Sequence, residues 1–252
     1  MRVLNALVSQ EFLKLRRMAT LRAVLISLCL GPTVVVGILR LATSDIAGVT
    51  DPGSLVVGTV VILGGIGSAI LAAGTFGQEY DLATGRALLL RGAPRAGFLA
   101  AKVITLLIIV TAVGLVATGI GLASAVTAGW RPTPAGLVPL FAQAAILLPL
   151  SSLVYLAAAA LGAVVGRSTA AGMLAGLILF LGGFLLATFR ARVPLAAWFP
   201  EANLFSILGG DFASALVRDP VSTATAVSRL LTVGAGLLAI AGMLFERQDL
   251  TG

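Results

Sequence analysis

The chain contains no histidine and, among 252 residues, a single cysteine, Cys29. The first absence removes imidazole acid–base chemistry, imidazole metal ligation and haem ligation by histidine. The second removes any intramolecular disulfide and any zinc site built from several cysteines. Charge is scarce as well. Asp, Glu, Lys and Arg make up 11% of the chain, less than half of the roughly 25% found in a soluble globular domain. There is no G-x-x-x-x-G-K-[ST] loop, so nucleotide phosphates cannot be cradled in that way. No charged residue falls in the middle of a long apolar run, where proton-driven carriers usually keep ionisable groups. Active transport through this chain would draw its energy from another polypeptide.

What fills the sequence instead is apolar: 59% of residues are hydrophobic, and the mean hydropathy is +1.09. No stretch has a soluble composition, so the expectation is an all-α integral membrane protein forming one polytopic domain over residues 1–252. Six spans are expected, at about 22–43, 55–76, 98–127, 137–165, 169–189 and 226–245. Each is long enough to cross about 30 Å of hydrocarbon at 1.5 Å per residue. The third and fourth exceed that length and are expected to tilt or protrude. The first run, roughly Ala23 to Ala42, is longer than the 7–15 residues of a signal-peptide core, which favours an uncleaved first helix.

The net charge of +7 does not point to nucleic acid, because the basic residues flank apolar spans instead of forming one patch. Their distribution sets an orientation. With the N-terminus inside, Arg2, Lys14, Arg16, Arg17, Arg22, Arg86, Arg91, Arg95, Lys102, Arg167 and Arg247 are cytosolic, against Arg40, Arg131, Arg190, Arg192, Arg218 and Arg229 outside. Both termini are therefore expected in the cytosol. Residues 1–20 read as an interfacial amphipathic helix, with Leu4, Leu7, Val8 and Leu15 on one side and Arg2, Asn5, Ser9, Arg16 and Arg17 on the other. Glu11 falls among the apolar positions, where snorkelling or an ion pair with Lys14 would accommodate it. In the last outer segment, Trp198-Phe199-Pro200 and Leu204 to Leu208 suggest a short helix lying at the outer interface.

Within the spans, Ser168, Gly172 and Gly176 recur every four residues, as do Gly162 and Gly166, a spacing that lets helices approach closely. The first three are candidates for a subunit interface; packing within one subunit is the alternative. Pro32 and Pro149 fall inside spans and suggest kinks or hinges. Gln143, Ser151, Ser152 and Tyr155 are the most polar features of the fourth span and are candidates for lining a substrate path.

The charged residues concentrate in an island between the second and third spans. It holds Glu79, Asp81, Arg86, Arg91 and Arg95, with Lys102 at its edge. Thr84 can N-cap a short helix beginning at Gly85 or Arg86, Gly92 can end it, and Pro94 suits the first turn of the next helix. A short cytosolic helix is expected there, offering Glu79, Asp81, Arg86, Arg91 and Arg95 to a partner.

These features resemble the ABC-2 type membrane subunits of ATP-binding-cassette transporters, particularly the small bacterial permeases of drug, bacteriocin and copper-site-maturation systems. The resemblance is carried by Gln10-Glu11-Phe12-Leu13-Lys14-Leu15-Arg16-Arg17, by Glu79, Gly85, Leu88, Leu89, Pro94, Arg95 and Lys102 in the island, and by the ending Phe245-Glu246-Arg247-Gln248-Asp249-Leu250. The family usually has Thr or Ser just after the glycine, whereas here Arg86 follows Gly85 and Thr84 precedes it.

The resemblance implies a permease subunit of the bacterial cytoplasmic membrane that pairs with a second permease subunit and with a cytosolic ATPase. ATP and magnesium would bind in the ATPase, not in this chain. The island becomes the coupling helix, with Glu79, Thr84, Gly85, Arg86, Leu89, Arg91, Pro94 and Arg95 at the ATPase contact. Glu11 either touches the ATPase or braces the island. Export of a hydrophobic or amphipathic drug, peptide or lipid-like substrate follows, and no catalytic or metal-binding residue is expected. A non-transporting membrane scaffold, such as an immunity or assembly factor, is the competing reading; an intramembrane protease fits poorly with a chain lacking histidine and mid-span acids.

Overall fold

The fold is taken from a computed structural model, which describes residues 2–42, 52–81, 95–188, 194–209 and 220–248. Over these residues the chain is helical: α1 (Arg2–Arg17), α2 (Ala19–Ala42), α3 (Pro52–Asp81), α4 (Arg95–Thr127), α5 (Pro134–Gly166), α6 (Thr169–Thr188), a 3₁₀ segment (Pro194–Trp198), α7 (Pro200–Leu208) and α8 (Thr223–Arg247). Helices α2 to α6 and α8 are long and apolar enough to cross a membrane. They coincide with the six expected spans to within a few residues at each end. Both Pro32 and Pro149 lie within continuous helices.

Helices α3 and α5 form the centre. In their most apolar stretches 67% and 72% of residues are buried, against 22% for α2 and 17% for α6 and α8. The cause is in the sequence: both carry small residues around the whole helix, so every side can take a neighbour. At Gly65, midway along α3, an added methyl would meet the Tyr155 ring at 2.6 Å and the Ser151 hydroxyl at 2.7 Å. Two serine side chains in this seam bond to backbone. Ser151 donates to Val61 O at 3.2 Å, and Ser68 donates to Gly65 O and Ser152 O at 2.7 and 3.2 Å.

The glycines of the small-residue row of α6 pack within the chain. Gly172 lies against Ala73 of α3 and the Ala159 carbonyl of α5, and Gly176 against Ala69. Ser168 instead caps α6, accepting from Ala171 N at 3.2 Å. Of the two readings, packing within one subunit is the one these contacts fit at Gly172 and Gly176. Gly162 and Gly166 are likewise taken up by Ala171 and Ala175 at the α5–α6 corner.

A second correction concerns α7. It does not lie along a surface: Pro200, Glu201, Ala202, Asn203, Leu204, Phe205 and Leu208 are all buried. Pro200 starts the helix at a position where no N–H is needed, and Asn203 ties it back by donating to Ala197 O and Phe199 O, both at 2.9 Å. With its apolar side chains facing inward on several sides, the nine-residue helix wedges between α3, α5, α6 and α8.

Candidate functional site

Two polar clusters stand out in this apolar bundle. The first is at the end carrying α1. On α1 the buried positions Leu7, Glu11 and Leu15 fall every four residues and so form one stripe. That stripe turns Glu11 inward. Lys102, in the second turn of α4, has a fully buried side chain and donates to Glu11 Oε1 and Oε2, each at 3.2 Å, and to Thr75 O at 3.2 Å. Glu79 Oε1 lies 2.9 Å from the same ammonium and 2.9 Å from that of Lys14. The rings of Phe98 and Phe76 sit against Lys102, at 4.8 and 5.5 Å from ring centroid to Nζ. Two acids and two bases therefore balance, which is what a buried charge requires.

Glu79, Tyr80 and Asp81 end α3, and successive helical residues point about 100° apart. The three consequently reach three different neighbours. Glu79 holds α1 and α4 as described. Tyr80 donates to Gln248 Oε1 at 2.8 Å, and Gln248 in turn donates to Val164 O at 2.7 Å. Asp81 Oδ2 accepts from Thr169 Oγ1 at 2.7 Å and Thr169 N at 3.4 Å, at the start of α6. Close approach permits the last contact: at Gly77 any Cβ would strike the Thr169 backbone. Arg95 completes the ring of contacts by donating to the carbonyls of Phe245, Glu246 and Gln248 at 3.2, 2.6 and 3.1 Å. Phe98 stacks on Phe245 with centroids 6.3 Å apart.

Several expectations change here. Glu11 pairs with Lys102 and not with Lys14, because the stripe on α1 aims it at α4. Glu79 is buried in the network and is not offered at the surface. Arg95 is turned onto the chain's own last helix. Thr84, Gly85, Arg86, Leu88, Leu89, Arg91 and Pro94, with the short helix expected there, lie outside the described residues.

The second cluster is deep in the bundle. The Tyr155 hydroxyl donates to Glu201 Oε1, while Glu201 Oε2 accepts no hydrogen bond among the described residues. Glu201 is 2% exposed. Tyr155 lies eleven residues before the end of α5, and at 1.5 Å per residue that is about 17 Å inside the helix. The carboxyl packs over Gly183 of α6, where a Cβ would collide with it. Of the four path candidates, Tyr155 meets Glu201, and Gln143 reaches the end of α7 by donating to Leu208 O at 3.4 Å. Ser151 bonds to α3 instead, and Ser152 meets α3 through its backbone carbonyl. Sequence reasoning did not single out Glu201; the available signal was one charged residue inside the otherwise uncharged run Trp198 to Leu208. Among the described residues, no three Cys, Asp or Glu side chains gather as metal ligands would.

Comparison with known proteins supplies the class. Residues 7–189 match the family described as ABC-2 family transporter protein. No curated protein matches the chain. With most of its length matched, the chain belongs to the ABC-2 transporter family, as a multi-pass membrane subunit of a kind that works with an ATPase.

Proposed function

We propose that this ABC-2 family chain is the permease subunit of an exporter in a bacterial cytoplasmic membrane, moving a hydrophobic or amphipathic substrate at the expense of ATP hydrolysed by a separate subunit. The observation that carries the reading is the buried trio of Glu11, Lys102 and Glu79, joined by the partly exposed Lys14. It sits where the 82–94 segment leaves α3 and enters α4. A partner pressing on that segment would move the ends of both helices together, and Lys102 would carry α1 with them.

From that hub the load has a route inward. Asp81 and Gly77 bind α3 to the start of α6, and α6 packs against α7 through Gly183. Motion at the cytosolic end would therefore reach the wedge that holds Glu201. In this reading both termini are cytosolic, a second permease subunit completes the pathway, and ATP with magnesium stays in the partner. Arg86, Leu89, Arg91 and Pro94 are the side chains assigned to the ATPase contact.

Co-purification tests it. The chain is expressed with candidate ATP-binding subunits from the same cell, purified through its own tag, and assayed for ATP hydrolysis in nanodiscs. A stoichiometric complex is expected, with its hydrolysis collapsing in the Arg86→Glu/Pro94→Ala variant. Failure to recover any ATPase from the cell would sink the permease reading and favour a membrane scaffold.

A further inference from the structure

The Glu201 site has features that packing alone does not require. Its carboxyl has one oxygen without a hydrogen bond among the described residues. No lysine or arginine among them pairs with it. A buried carboxyl group without a counter-charge is costly in an apolar setting and commonly marks a functional position in membrane proteins.

What surrounds it narrows the ligand. Glu201 lines a small cavity with Tyr155, Phe180, Phe184 and Phe205. The four rings form a continuous ladder: Tyr155 to Phe180, Phe180 to Phe184 and Phe184 to Phe205 are 6.2, 6.4 and 6.5 Å between centroids. Aromatic faces carry partial negative charge and attract cations. Rings and carboxylate therefore discriminate the same way, for positive charge and against negative. The remaining lining is aliphatic and offers nothing to a strongly hydrated ion.

We propose that this pocket recognises a lipophilic monocation, a quaternary ammonium or phosphonium bearing apolar groups, as the transported substrate. The inference rests on the permease reading and names its substrate class. The cavity measures ≈ 20 Å³, room for about one water, so the conformer described is closed. Loading would move α7, which side chains of α5 hold through two hydrogen bonds, from Tyr155 to Glu201 and from Gln143 to Leu208 O. The cation would then take up the unused carboxylate oxygen and the ring faces.

Tetraphenylphosphonium and tetraphenylborate match in size and apolar surface and differ in sign. Their binding to the full chain in nanodiscs, corrected for partition into empty nanodiscs, tests the proposal. Saturable phosphonium binding at least about tenfold tighter than borate binding is expected. Glu201→Gln, which keeps an acceptor for Tyr155, should weaken the phosphonium by a similar factor, and Phe184→Leu should weaken it several-fold. Equal binding of the two probes, no saturable phosphonium binding, or unchanged binding in Glu201→Gln would overturn the proposal. Should that variant not fold, the two probes on the unmodified chain still decide. A chain that co-purifies with its ATPase yet ignores phosphonium loses only this inference, whereas one without an ATPase loses the reading beneath it.

Discussion

Lys102 and Glu11 stand 91 positions apart in sequence and meet through both carboxylate oxygens at 3.2 Å. The pair ties an N-terminal helix to the second turn of α4, and Glu79 joins it from α3. Its value depends on neutrality as a group. Lys102→Met would leave Glu11 and Glu79 with only the partly exposed Lys14 between them. Removing one partner of a buried ion pair typically costs about 3–5 kcal/mol, and a loss of that order is expected. The double variant Lys102→Met/Glu11→Leu leaves Glu79 with Lys14 and restores the balance. It should recover at least about 1 kcal/mol relative to the sum of the single changes. Unfolding in detergent across the full cycle measures this; strict additivity would deny that the two residues act as a pair.

Two glycines separate close packing from mere composition. Gly77 has no room for a Cβ because the Thr169 backbone occupies it, while Gly236 has nothing within 4 Å. Overpacking against backbone costs typically about 1–3 kcal/mol, so Gly77→Ala should destabilise by that amount. Gly236→Ala should be neutral or stabilise by up to about 1 kcal/mol, because alanine is the better helix former. Thermal unfolding of the two variants side by side checks the contrast, and similar melting temperatures would contradict the packing described at Gly77.

The spans were legible because each holds enough consecutive apolar residues to cross a bilayer, a property of composition that needs no tertiary knowledge. That charge collects at the end of α3 and the start of α4 was legible too, since Glu79, Asp81, Arg95 and Lys102 stand close in sequence. Which charges pair was not. Reasoning from sequence finds local partners, and so Lys14, three residues on, was the natural choice for Glu11; the actual partner arrives only when α4 packs on α1. The same limit hid Glu201. Its neighbours Trp198, Phe199 and Leu204 to Leu208 suit an interfacial helix as well as a buried wedge, and only the glycine gap in α6 and the hydroxyl of Tyr155 distinguish the two. The small-residue row of α6 left two readings open for a related reason, because close-packing motifs do not say which helix comes close.

Arg95 makes a further prediction concrete. Its guanidinium gathers the carbonyls of Phe245, Glu246 and Gln248 at the end of α8, groups that a helix terminus otherwise leaves without intrahelical donors. Arg95→Ala should fray this end. Amide exchange over residues 245–248 should accelerate about tenfold or more, as loss of a charged hydrogen bond costs about 1.5–3 kcal/mol. Exchange in the middle of α8 should not change. Arg95→Lys would restore part of the protection, having the charge but not the fork. Uniform acceleration along α8 would mean that Arg95 supports the whole packing of the helix and not its terminus.

Tyr155 and Glu201 allow stability to be told apart from recognition. Tyr155→Phe removes the side-chain hydrogen bond that the Glu201 carboxyl accepts, and leaving a buried acceptor unmet costs about 1–3 kcal/mol. Glu201→Leu reverses the loss, stranding the Tyr155 hydroxyl instead. Replacing both partners with apolar groups of similar shape can be close to neutral, so Tyr155→Phe/Glu201→Leu should unfold within about 1 kcal/mol of the unmodified chain. Glu201→Gln keeps an oxygen for Tyr155 and should be no less stable than that double variant. If the pair were only a structural clasp, a stable double variant would also function. If the carboxyl recognises cargo, the double variant would fold, assemble with its ATPase and hydrolyse ATP, yet fail to accumulate or extrude a lipophilic cation in vesicles. Melting temperature and transport measured on the same preparation therefore separate the two roles, because the clasp predicts that they move together and the recognition site predicts that they part.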